Sequence, residues 1–437
     1  MPQSWVRDPE DWRAALEGLK QPDNPVRLIT LPTSIDAAVT KCPDFVQILE
    51  EALSHPSCKV VRVAFRDEGQ RCIHSRAVAS VLVRVAALPG STLTNLGVKM
   101  NANDQLAIQE ALLSPSSFSS LWVCKGDSKT GLDDAFQSLS TILARADCSV
   151  QSLSLSGPMS EQELGELAKG LIAKTCPVSL IQCQSMTEPS VTVLLSSLRG
   201  SSVEHIGLQE LKGSAEIWLA ELAALVESPN NSLKAIQFDD VNITSGEQTM
   251  RLVASLSHPN CRVQELTMES FTTAFDHPWR QGTYHPGYIA TMLQAASQPG
   301  NKLDLIELLT EHKILRILAE LLTSPHCKLR TLIIRAAVER FGYSANSVYQ
   351  LLSAARTSCL RTIEVTQLVL DDEEDEVKIE AFGEALSGEW FQVFITLLSV
   401  KHVLRLGRHS GVRILPIADL LDLIATTLDW PLKDLCL

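Results

Sequence analysis

Aromatic side chains make up only 5% of this 437-residue chain, so any core it buries must be largely aliphatic. No run of about 18 apolar residues occurs, which leaves no candidate for a membrane-spanning helix. The opening residues, MPQSWVRDPEDW, lack the basic and apolar regions of a signal peptide. Basic residues are in deficit: 38 Lys and Arg stand against 51 Asp and Glu, a net charge of −13. Phosphate binding needs clustered Lys and Arg, so neither nucleic acid nor an anionic membrane is expected as the main partner. The 11 cysteines include no CxxC pair, and without a secretion signal they are expected to stay reduced in a cytoplasmic protein. No GxxxxGK[ST] loop offers a nucleotide site, and no His/Asp arrangement marks a cysteine nucleophile. Catalytic residues, cofactors and metal sites are all expected to be none.

What is present is a repeat. Apolar residues recur at positions 1, 4 and 6 of segments that begin at Val26, Val60, Leu93, Phe118, Val150, Val178, Val203, Leu233, Val263, Leu303, Leu329 and Leu360, with weaker or terminal copies at Lys401 and Leu432. Most starts lie about 30 residues apart, at the long end of the range for one strand plus one helix per unit. Between them run patterns with apolar residues at i, i+3, i+4 and i+7: 104–113, 161–172, 216–226 and 314–322. Such a unit cannot bury its apolar face alone, so the expectation is an α/β solenoid of about 14 repeats. Its parallel sheet would line a concave face, with helices on the convex side. Residues 1–25, with an amphipathic helix at 8–19, are expected to cap a repeat domain over 26–437 that becomes irregular from about 380. The final segment either completes a modest cap or continues in a longer native chain.

The strings LSHPSCKVVRVAF, LSHPNCRVQELTM and LTSPHCKLRTLII resemble the ribonuclease-inhibitor class of leucine-rich repeat. That class also occurs in NOD-like receptors and in the Ran GTPase-activating protein. The resemblance covers nearly everything after residue 25. It implies a binding scaffold, or alternatively a GTPase activator with Arg66 as its only positional candidate, or the sensor fragment of a NOD-like receptor. The Asn or Cys that this class places at position 9 appears as Asn101 and almost nowhere else.

Positions 3, 5, 7 and 8 of each strand are expected on the concave face. In the second to fourth repeats these hold Arg62, Arg66, Lys99, Trp122 and Lys125 against Asp67. In the seventh to tenth they hold Glu210, Asp239, Asp240, Glu265, Glu269 and Glu307, and basic residues return with Arg335, Arg405 and Arg408. Trp122 is the residue type that interfaces favour most. A long interval at 271–290 concentrates His277, Trp279, Arg280 and Tyr284, and the stretch over 271–288 reads as a partner-binding loop. A second long interval holds six consecutive acids, Asp371–Glu376. Cys58, Cys148, Cys176, Cys261 and Cys327 each lie two residues before position 1 and are expected to be buried packing residues. The function expected is non-catalytic binding of a protein partner through the concave face and the 271–288 loop.

Overall fold

Position 1 of the repeat is where each strand approach enters the core. In the computed structural model Val60, Leu93, Phe118, Val178, Leu233, Val263, Leu303 and Leu329 are all at most 2% exposed there. The structure describes residues 3–5, 9–32, 44–66, 76–86, 88, 90–100, 118–125, 133–211, 215–239, 241, 243, 246–269, 286–310, 312–336, 345–366 and 392–396. The chain divides into two compact units, one of residues 1–213 with 230–232, the other of 214–229 with 233–437.

In the first unit the order is β1 (Gln3–Trp5), α1 (Pro9–Gly18), β2 (Leu28–Pro32), α2 (Phe45–Leu53), β3 (Arg62–Arg66), α3 (Arg76–Ala86), β4 (Asn95–Met100) and β5 (Ser120–Lys125). It continues with α4 (Asp133–Leu143), β6 (Ser152–Ser156), α5 (Glu161–Leu171), β7 (Leu180–Gln184), α6 (Glu188–Ser197) and β8 (His205–Gln209). The strands pair in sequence order and all in parallel, as crossover through a helix requires. The second unit holds α7 (Glu216–Glu227), β9 (Ala235–Asp239), α8 (Gly246–Leu256), β10 (Glu265–Glu269), α9 (Pro286–Leu293), β11 (Leu305–Thr310) and α10 (His312–Leu322). It ends with β12 (Thr331–Ala336), α11 (Ala345–Arg356), β13 (Thr362–Thr366) and β14 (Gln392–Thr396), again parallel and in order.

Alternation decides which way each strand faces. In β7 Ile181 and Cys183 (positions 4 and 6) are buried, whereas Gln182 between them is exposed. In β9 Phe238, at position 6, meets Trp218 of α7 with ring centroids 6.1 Å apart, so positions 4 and 6 are the ones that face the helices. Burying each such aliphatic side chain stabilises the fold by about 1.5–3 kcal/mol.

All twelve strand motifs from Val26 to Leu360 become strands that start two residues after position 1. Two strands were not foreseen. β1 precedes the capping helix and pairs Gln3 with Leu28. β14 pairs Gln392 with Thr362, and counting back from it places Trp390, Val393 and Ile395 at positions 1, 4 and 6. The strands expected from Lys401 and Leu432, the helix expected at 104–113, the acidic run and Asn101 lie outside the described residues. The expected loop over 271–288 needs a correction, because Pro286 opens a helix that runs to Leu293. Proline suits that first turn, where its missing N–H is not required.

The cysteine slot also needs its reason corrected. Four of the five thiols are buried, but Cys148 is half-exposed, and all five are free. The same slot, two residues before position 1, holds Asn24, Ser91, Ser201, Asn301 and Ser358 in other repeats. What these share with cysteine is an acceptor atom. Each accepts the N–H of position 1: Val26 to Asn24 at 2.8 Å, Leu93 to Ser91 at 3.2 Å, Val263 to the Cys261 sulfur at 3.4 Å and Leu303 to Asn301 at 3.2 Å. Asn301 does more, since its Nδ2 donates to the carbonyls of Ala296, Gln298 and His326. In these repeats the slot is thus a local side-chain-to-backbone cap on the turn before the strand. Burial pushes the thiols of Cys58, Cys148, Cys176, Cys261 and Cys327 up, and the N–H two residues on draws each part of the way back.

Candidate functional site: the open face of the sheet

With positions 4 and 6 committed to the helices, positions 3, 5 and 7 form the sheet's other face. In the first unit Trp122 is central to it. Its neighbours in register are Gly97 on β4 and Ser154 on β6, both small, and the indole is half-buried. Ser154 donates to Gln182 Oε1 on β7 at 3.1 Å, and Gln182 in turn pairs in register with Gly207 on β8. Across β5 to β8 positions 3, 5 and 7 read Ser120, Trp122, Cys124; Ser152, Ser154, Ser156; Leu180, Gln182, Gln184; and His205, Gly207, Gln209. None of these is Asp, Glu, Lys or Arg, in a chain where one residue in five is charged.

Position 8, just past the strand, is where the chain turns away. Gly157, Ser185 and Glu210 hold it in three consecutive repeats with φ of 98°, 52° and 49°. The left-handed turn lets the Gly157 N–H reach the Gln184 carbonyl at 3.2 Å and the Ser185 N–H reach that of Gln209 at 3.0 Å, which extends the ladder one step. At Gly157 a Cβ would stand 2.6 Å from the Lys125 carbonyl oxygen, so a side chain has no room. Ser185 Oγ also donates to Glu210 Oε2 at 2.9 Å, which holds that carboxylate at the strand ends.

Lys125 occupies position 8 of β5, yet its ammonium is not offered to solvent. It donates to both oxygens of Glu163, at 2.7 and 2.8 Å, and the two side chains are 10% and 1% exposed. Glu163 is also the third residue of α5. There its carboxylate takes the Ser160 N–H at 2.7 Å while Ser160 Oγ takes the Glu163 N–H, a capping box. One carboxylate therefore caps a helix and neutralises a lysine from the preceding repeat.

Of the remaining charged candidates in the first unit, Arg62 is half-buried at position 3 of β3. Arg66 and Lys99 stand at position 7 of β3 and β4. In the second unit Asp239 is half-buried and aligned with Glu269 across β9 and β10, and Glu265 is exposed. Glu307 on β11 aligns with Thr267. Arg335 stands at position 7 of β12. Asp240, His277, Trp279, Arg280, Tyr284, Arg405 and Arg408 lie outside the described residues. What sequence reasoning missed is the uncharged band itself. It is readable as a run of Ser and Gln at positions 3, 5 and 7, a signal made of absent charge rather than of clustered charge.

Among the described residues no group of three or more His, Cys, Asp or Glu could hold a metal ion, and no helix is long and apolar enough to cross a membrane. No family model and no curated protein matches this chain. Solved structures similar to it include the leucine-rich repeat-containing protein LegL7 from Legionella pneumophila, 15% identical. That match covers 70% of this chain and 93% of LegL7 with a TM-score of 0.43. A chain of the yeast Rad7–Elc1 complex is 14% identical, over 92% of this chain and 85% of that one, with a TM-score of 0.40. A protein from Bacteroides fragilis is 10% identical, over 69% and 74%, with a TM-score of 0.36. The fold is that of a leucine-rich repeat. Among the described residues strands alternate with helices, apolar positions 1, 4 and 6 turn inward and the paired strands are all parallel.

Proposed function

We propose that this chain is a protein-binding scaffold whose partner docks on the open face of the sheet, centred on β5 to β8. The uncharged band at positions 3, 5 and 7, with Trp122 within it, is the observation that supports this reading. An ion trapped at an interface without a partner costs several kcal/mol. A surface of Ser, Gln and His can instead be desolvated while each group finds a hydrogen bond. Interface cores are accordingly depleted in charge and enriched in Trp. Around this centre Arg62, Arg66 and Lys99 would set the orientation of the partner by charge in the first unit, whereas Lys125, neutralised by Glu163, would only hold the strand ends in place. Asp239, Asp240, Glu265 and Glu269 of the second unit, with His277, Trp279, Arg280 and Tyr284 of the long interval, are the alternative docking residues, tested separately. A rigid sheet face loses little conformational freedom on docking, so few contacts are needed for useful affinity.

The test is site-specific photo-crosslinking in cells that make the protein. A photoreactive residue at Gln182 or Gln184 is expected to trap one and the same protein, whereas Lys169 and Lys174, on the helical side, trap none. Adducts from Lys169 and Lys174 alone would show that the partner uses the other side.

A further inference from the structure

In repeat order the acceptor slot alternates between thiol, hydroxyl and amide, and in one place alone among the described slots two thiols are neighbours. Cys58 falls between Asn24 and Ser91, Cys261 between Asn231 and Asn301, and Cys327 between Asn301 and Ser358. Cys148 and Cys176 are consecutive. Their strands pair Ser152 with Leu180, and just upstream the Gln151 carbonyl accepts the N–H of Ser179 at 2.9 Å and of Leu180 at 3.1 Å. The two cysteines therefore stand at the same register, four residues before those paired positions. Both end the same turn, Cys148 N–H to the Arg145 carbonyl at 3.2 Å and Cys176 N–H to that of Ala173 at 3.0 Å. Each thiol also feels the N–H two residues on, of Val150 and of Val178, which draws it down from where burial pushes it, so the two sit in matching local surroundings. Paired parallel strands lie about 4.8 Å apart, inside the roughly 4.4–6.8 Å between Cα atoms that a disulfide spans. The two thiols also sense each other, since the charge of Cys148 helps to hold the Cys176 thiol up. Access differs between them: Cys148 is half-exposed and Cys176 is 4% exposed.

We propose that Cys148 and Cys176 are a modification site, an oxidant-dependent disulfide joining two adjacent repeats, with Cys148 as the entry thiol and Cys176 as the resolving one. The co-reactant is a small-molecule disulfide of the glutathione class. Cys148 gives its proton to water, and its thiolate attacks one sulfur of glutathione disulfide. An S–S bond forms and one glutathione leaves as a thiolate that takes up a proton. The Cys176 thiolate then attacks the Cys148 sulfur and expels the second glutathione. Two protein thiols are oxidised, one glutathione disulfide is reduced to two thiols, and no metal takes part. Because the thiolate is the nucleophile and burial holds both thiols protonated at neutral pH, closure speeds up as pH rises.

The full-length protein is incubated at about pH 8.5 with glutathione disulfide, quenched with acid, and mapped by mass spectrometry without reduction. The expected product is one peptide pair bridged through Cys148 and Cys176, together with a higher unfolding temperature that reduction reverses. Cys148→Ser, which places in this slot the hydroxyl found at Ser91 and Ser358, is expected to fold and to form no bridge. Cys261→Ser is expected to bridge as the unaltered protein does. A glutathione adduct that persists on Cys148, a bridge to any other cysteine, or unmodified thiols would each overturn the assignment.

Discussion

Lys125 and Glu163 stand 38 positions apart, yet they form one of the most buried polar contacts among the described residues. Taking either charge away strips the other of this close, doubly hydrogen-bonded partner in a nearly dry site, a change that costs about 3–5 kcal/mol. Glu163→Gln is therefore expected to lower the urea midpoint sharply, and it also weakens the α5 capping box. Lys125→Met combined with Glu163→Leu removes both charges and is expected to recover most of that loss. A double variant no better than Glu163→Gln would mean that the cap, rather than the pair, carries the energy. Cys183 yields a second prediction at this scale. Fully enclosed at position 6 of β7, its thiol is pushed up to about 12 from an ordinary 9.0 by loss of solvation alone. The unfolded chain ionises this thiol above about pH 9 while the folded one keeps its proton. The group's contribution to stability is thus intact below pH 9 and is lost as pH rises toward 12, by about 1.4 kcal/mol per unit. In denaturant titrations at pH 8, 9 and 10, the advantage of Cys183→Val over the unaltered protein should grow with pH. A constant difference would show that the sulfur is not so enclosed.

Helix α5 tests packing against propensity within a single element, because it holds two glycines. Replacing glycine by alanine inside a helix ordinarily stabilises by about 0.5–1 kcal/mol. At Gly165 nothing lies within 4 Å of an added Cβ, so Gly165→Ala should show that gain. At Gly170 the same atom would meet the Ser140 carbonyl oxygen at 2.3 Å and its Cα at 2.7 Å. Both belong to backbone of α4, which cannot yield without moving the helix. Gly170→Ala is therefore expected to be destabilising by about 2 kcal/mol or more, against the sign of its propensity. Thermal unfolding of both variants decides it, and equal shifts would refute the close approach of α4 and α5. The strands were legible because an apolar triad at positions 1, 4 and 6 spells out a strand twelve times over. β1 was not legible, since its position 4 is Ser4. β14 does carry the triad at the ordinary interval after Leu360, but with Trp390 rather than an aliphatic residue at the first position. The slot was legible as a recurring position and not as chemistry. Cysteine alone suggests packing, and only Ser and Asn in the same place point to an acceptor.

At the scale of the whole molecule, charge is uneven in a way that sequence order alone conveys poorly. Register says which side chains leave the sheet on one face; it does not say which are already neutralised. By register Lys125 belongs to a basic patch, but Glu163, from a helix in the next repeat, balances it. What is left in the first unit is a band without net charge in a chain of −13, and that makes the mode of binding testable. Salt at about 0.3 M shortens the reach of charge to roughly 6 Å and weakens a contact governed by exposed carboxylates. Contacts made by an indole, amides and hydroxyls are nearly indifferent to it. Once crosslinking has identified the partner, its affinity is expected to change less than about threefold between 0.05 and 0.3 M salt. Trp122→Ala should weaken that affinity about thirtyfold, the equivalent of roughly 2 kcal/mol for a truncated interface aromatic. Glu265→Ala, on an exposed acid of the second unit, should have little effect. A steep salt dependence combined with sensitivity at Glu265 and none at Trp122 would move the docking centre from the uncharged band to the acidic strands β9 to β11.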